Sequence, residues 1–153
     1  MNAAHLHLAL NHLPVIGSVF ATLLLGWALL RPGDELKRAA LGGVVLVALS
    51  CFPAYFTGES AEEFVKHLPE ISQRQIRQHE EAAEQSFTLL FPVGMTALVA
   101  LSWKRRDPVP NWVCAGLLMA MLAVVGLMGR TANLGGRIRH PEIWRTVKLP
   151  PGE

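Results

Sequence analysis

Charge is what this chain has least of. Asp, Glu, Lys and Arg make up 17% of its 153 residues, where a soluble domain usually carries about a quarter. The shortage is local: residues 1–30, 39–58, 85–103 and 108–129 contain none of the four. Each stretch is about the 20 residues an α-helix needs to cross a hydrocarbon core roughly 30 Å thick. This pattern is not that of an ordinary soluble domain. It predicts an all-α bundle of four transmembrane helices over about 5–30, 39–56, 82–102 and 111–133, forming a single membrane domain.

Other absences narrow the function. There are two cysteines, Cys51 and Cys114, with no CxxC or haem-attachment spacing. They fall towards opposite ends of their spans, so two packed thiols are expected rather than a disulfide. No basic run is interleaved with aromatics, which argues against nucleic acid. No nucleophile–base arrangement, phosphate-cradling glycine loop or coenzyme fingerprint occurs, so a hydrolase, transferase or nucleotide enzyme finds no support. The charge-free stretches put no charge inside the membrane, which argues against a proton or ion channel. No basic region precedes the first apolar stretch, so the first span is expected to remain in the mature protein.

The connections are unequal. Arg31-Pro32-Gly33-Asp34 stops the first span, and Asp107-Pro108-Val109-Pro110 follows the third. Both of these connections are short. Residues 57–81 form a longer polar external connection, broken at Leu68-Pro69-Glu70. Ser60-Ala61-Glu62-Glu63 resembles a capping box, and Ser72 is placed to cap a second helix, so short amphipathic helices on the membrane surface are expected there. Leu134-Gly135-Gly136 reads as a helix stop, followed by an external tail over 134–153. Lys and Arg cluster in the short connections, as Arg31, Lys37, Arg38, Lys104, Arg105 and Arg106. The positive-inside rule therefore puts those connections in the cytoplasm and both termini outside, in a bacterial inner membrane.

With that topology all six histidines, His5, His7, His12, His67, His79 and His140, share one end of the bundle. At 1.5 Å per residue, His12 lies about 27 Å from Leu30, and His7 and His79 lie about 34 Å from the far ends of their spans. His12 is the deepest, with Asn11 beside it, and leads the candidates. His79 is expected opposite, with His7 or His5 next and His140 nearby. His67, beside Leu68-Pro69, reads as a solvated loop residue.

Imidazoles on separate helices of an apolar bundle suit b-type haem, whose iron is held by side-chain ligands. Arg130, Arg137 and Arg139 at the same end are the candidate partners of its propionates. A bare zinc, iron or copper ion is the alternative. Glu80 and Glu84, with Glu59, Glu62 and Glu63, would then add carboxylates to the imidazoles. No HExxH or Glu-x-x-His spacing supports that alternative.

Four blocks of the chain carry a resemblance: Asn11-His12-Leu13-Pro14, Thr57-Gly58-Glu59-Ser60-Ala61-Glu62-Glu63, His79-Glu80-Glu81-Ala82-Ala83, and Gly135-Gly136-Arg137-Ile138-Arg139-His140-Pro141-Glu142. In these the chain resembles a bacterial family of uncharacterised four-span integral membrane proteins. The resemblance covers nearly the whole length and implies the four-helix architecture and an inner-membrane home. Small b-type cytochromes share only the general layout of histidines on four spans.

Three functional expectations follow. The first is a membrane electron-transfer protein that holds haem b near the periplasmic face and exchanges electrons with quinol or a periplasmic carrier. The second is a His/Glu metal-binding membrane protein or enzyme. The third is a non-catalytic subunit scaffolding a larger complex with other membrane subunits or as a homo-oligomer.

Overall fold

The computed structural model describes residues 3–67, 71–102 and 107–140. Five helices follow in order: α1 Ala3–Leu10, α2 His12–Leu30, α3 Asp34–Val65, α4 Gln73–Ser102 and α5 Asn111–Arg139. No strand occurs among the described residues. The break between α1 and α2 has a local cause. Pro14 has no amide to give the carbonyl of Leu10, so the helical ladder is interrupted there. The chain still continues in nearly the same direction, with the Asn11 amide donating to the His7 carbonyl at 2.9 Å.

Helices α2, α3, α4 and α5 pack in ring order, each on the next, with α5 closing on α2. Four segments are long and apolar enough to cross a membrane: Ala4–Leu30, Asp34–Val65, Gln73–Ser102 and Asn111–Arg139. The surface agrees with that reading. On α2 alone, Leu13, Ile16, Val19, Phe20, Leu23, Trp27 and Leu30 are exposed, a stripe that water would penalise and lipid would accept. Inside are smaller side chains: Ala21, Ala28, Ala40, Ala48 and Ala97 among Leu25, Leu41, Val44, Leu90 and Met121. Small residues let helices approach when lipid removes the hydrophobic drive between them.

The closest approach is between α3 and α4. A Cβ placed on Gly94 would lie 2.4 Å from the Ala48 Cβ. At the end bearing the two short connections, Asp34 and its neighbours form a clasp. Gly33 turns at φ 135°, in the region glycine tolerates, and delivers Asp34 to the start of α3. The Asp34 carboxylate accepts from the Val109 amide and pairs with Arg38. Arg38 also donates to the Asp107 carbonyl at 2.8 Å, and Lys37 to the Val109 carbonyl at 3.0 Å. Cys51 and Cys114 are both buried free thiols.

Two boundaries differ from the sequence reading, and both bear on the site. The second span, expected to end at about residue 56, does not end there: α3 runs through Pro53 to Val65. Pro53 removes one backbone bond, while Thr57 Oγ1 donates to the Pro53 carbonyl at 2.7 Å and fastens that turn. Residues 57–65 therefore extend α3, and 73–81 begin α4, instead of forming separate short helices. Likewise, Leu134-Gly135-Gly136 does not stop α5, which continues to Arg139. The Trp103–Arg106 anchor, the Leu68–Glu70 break and the tail from Pro141 lie outside the described residues.

Helix length sets where this end stands. Thirty-two residues in α3 span about 48 Å at 1.5 Å each, against a core of roughly 30 Å. The surplus carries the charges Glu59, Glu62 and Glu63 on α3, and Arg74, Arg77, Glu80, Glu81 and Glu84 on α4. The membrane-crossing segments are thus the charge-free 39–58 and 85–102, and these charged ends project beyond them.

Gly94→Ala should lower stability by about 1–3 kcal/mol through overpacking. Ala48→Gly in the same chain should recover most of that loss, because it removes the atom the new methyl meets. Thermal unfolding in detergent of the two single variants and the double variant checks this.

Candidate functional site

The histidines do not all converge. His5, His12, His67 and His140 are exposed, and only His7 and His79 are partly buried. His12 turns back on its own helix, where its Nδ1 donates to the Leu8 carbonyl at 2.7 Å. His7 and His79 meet across the bundle. Their ring centres lie 6.4 Å apart with the planes at 83°. His7 is on α1, which continues into α2, and His79 is on α4, the helix diagonally across the ring of four.

Each imidazole is held the same way. His7 Nδ1 donates to the Ala54 carbonyl at 3.0 Å, with Thr57 Oγ1 at 3.3 Å. His79 Nδ1 donates to the Thr131 carbonyl at 3.0 Å. A carbonyl can only accept, so Nδ1 carries the proton and Nε2 keeps the lone pair. Metal-binding histidines are commonly oriented by such a bond from the other ring nitrogen.

A glycine lies beneath each ring, and at His79 it supplies room that a larger residue would fill. In an α-helix the carbonyl of residue i is paired with the amide of i+4. Four residues beyond Ala54 is Gly58, and four beyond Thr131 is Gly135. A Cβ on Gly58 would lie 3.4 Å from His7 Cε1, and one on Gly135 would lie 3.1 Å from His79 Cε1. The sequence reading took Gly58 and Gly135 as helix ends, and both are interior glycines over which an imidazole lies. Thr131 is tied back to α4 through Ser86, whose Oγ is 3.0 Å from Thr131 Oγ1. Ala54, Ala61 and Ala82, on the same turns of α3 and α4, are buried.

The arginines lie outside the pair. Arg130 donates to Gln85 Oε1 at 2.9 Å on the α4–α5 surface, and Arg137 to Asn133 Oδ1 at 3.1 Å. Arg139 and His140 are exposed at the end of α5. Among the described residues no three His, Cys, Asp or Glu side chains gather as a metal site. Glu84 lines a shallow surface depression with Gln85, Thr88 and Leu89.

Glu80 sits on the projecting part of α4 and shares a hydrogen bond with Glu62 of α3. One of two such carboxyls must be protonated to donate. The bond that protonated Glu80 donates to Glu62 is the main cause, followed by partial burial and the charges of Glu62 and Glu81, that raises Glu80 to about 7. Arg74 and Arg77 line the same recess.

Below this recess the α3–α4 groove is aromatic. Tyr55 stacks on Phe87 at 5.0 Å, Phe52 meets Phe87 edge-on at 5.2 Å, and Phe91 lies 6.1 Å from Phe87. Tyr55 and Phe91 are 47% and 45% exposed, so the rings line a groove open to the side of the bundle.

No family model matches the chain, and no curated protein or solved structure is similar to it. The functional reading therefore rests on the site itself.

Glu80 holds its proton to about pH 7 when folded and to 4.5 as a free side chain. The folded protein thus binds more protons between those values, and its stability should fall as pH rises through the window. Glu80→Gln should flatten that fall, as measured by melting temperature from pH 4.5 to 8.

Proposed function

We propose that this is a membrane electron-transfer protein of the bacterial inner membrane that holds haem b between His7 and His79 near the periplasmic face. The observation that carries this reading is the imidazole pair on diagonal helices, each ring aimed by an Nδ1–H bond to backbone. The ring centres lie 6.4 Å apart, and two imidazoles that each keep Nε2 unprotonated are a donor set that would hold a haem iron. Haem would supply a one-electron centre whose potential is tuned by its ligands and burial.

The electron donor is a hydroquinone arriving from the lipid. The supporting feature is the Tyr55–Phe87–Phe91 groove, where a planar ring can stack, with the Glu62–Glu80 carboxyls above it as proton acceptors. A hydroquinone oxidised there would release two electrons, passed on one at a time, and two protons, which the Glu62 and Glu80 carboxyls are placed to accept. A periplasmic carrier then receives the electrons.

Protein purified from haem-replete cells should show a Soret band and, after dithionite, a sharp α-band. His7→Ala and His79→Ala should each abolish the sharp α-band of low-spin haem, while His12→Ala keeps it; a colourless preparation of the unaltered protein sinks the reading. Phe87→Ala should keep the spectrum but slow reduction by a soluble hydroquinone roughly tenfold, the equivalent of one lost stacking contact. Stopped-flow absorbance measures that rate.

A further inference from the structure

The two imidazole planes are set independently and end up crossed. The His7 plane is fixed from α3, by the Ala54 carbonyl and Thr57. The His79 plane is fixed from α5, by the Thr131 carbonyl. The angle between them is 83°. Each ring has one nitrogen committed to a backbone carbonyl, and its remaining nitrogen is the only donor it can offer a metal. Both rings are anchored to helix interiors, not to loops, and Gly135 leaves His79 little room: a Cβ there would already be at 3.1 Å.

We infer, resting on the haem reading above, that His7 and His79 close both faces of the iron with their rings in crossed planes, making the protein an outer-sphere one-electron carrier that takes no gas or peroxide ligand. The redox step is then ferric iron plus one electron to ferrous iron, with no bond made or broken at the metal. The electron comes from the hydroquinone donor. Axial-ligand identity and orientation are the protein's main levers on such an iron. Crossed ligand planes bring two of its d orbitals close in energy, which gives ferric low-spin iron a highly anisotropic paramagnetic signal. Parallel planes split those orbitals and give an ordinary rhombic signal.

The test is electron paramagnetic resonance of the oxidised, full-length protein in detergent, with the visible spectrum of the reduced protein under carbon monoxide. The expected result is a single highly anisotropic low-spin signal and a Soret band that carbon monoxide does not shift. An ordinary rhombic low-spin signal overturns the crossed planes. A high-spin signal with a carbon monoxide-shifted Soret band overturns the closed iron. Absence of any Soret band overturns the haem reading beneath both.

Two glycine variants add an internal comparison. Gly135→Ala should shift the signal, because the methyl presses on His79. Gly58→Ala should leave it nearly unchanged, because 3.4 Å from His7 Cε1 is ordinary contact. His7→Gly separates loss of a ligand from misfolding. Added imidazole should return its iron from high spin to low spin, and failure of imidazole to do so in a protein that still binds haem overturns His7 as a ligand.

Discussion

An imidazole N–H donated across a helix interface to a backbone carbonyl is the interaction on which this end of the molecule depends. The carbonyl already belongs to a helical ladder, so the histidine adds a bond without taking one away. At His79 the residue above the acceptor, Gly135, leaves the room the ring needs. His7, Ala54 and Gly58 form one such arrangement, and His79, Thr131 and Gly135 the other. Each joins a helix to the next one in the chain, so each hairpin of the bundle carries its own copy. Buried side-chain polar atoms without partners are absent among the described residues, as a low-dielectric surrounding demands.

The opposite end is organised by charge. Asp34 gathers the Val109 amide and Arg38, and Arg38 and Lys37 reach carbonyls of the other short connection. Between the two ends, the Gly94–Ala48 approach fixes how closely α3 and α4 lie. A bundle clasped at one end and narrowed in its middle leaves its histidine-bearing end to be defined by the projecting turns of α3 and α4.

The four helices were legible because about 20 residues without charge is what a lipid-crossing helix requires and what a water-facing surface rarely tolerates. The placement of His7 and His79 at equal height was legible too, from rise per residue alone. The choice of His12 over His7 was not. Depth favoured His12, but the direction of a side chain depends on helix rotation, and the Pro14 interruption follows closely on both histidines. Gly58 and Gly135 were misread for a related reason. Beside polar residues, a glycine signals a helix end, and only the neighbouring helix shows that its missing side chain makes room for a ring. Lys37 and Arg38, taken as markers of topology, proved also to be structural ties.

The repeated arrangement has a consequence for how such a site can be assembled. One hairpin presents one imidazole, so the facing pair of rings exists only where the two hairpins lie side by side. Two copies of a single hairpin related by a two-fold axis would bring together the same pair of rings. Joining the halves in one chain lets them differ, as Ala54 and Thr131 do at corresponding places. It also fixes their ratio at one to one without any need for the halves to find each other.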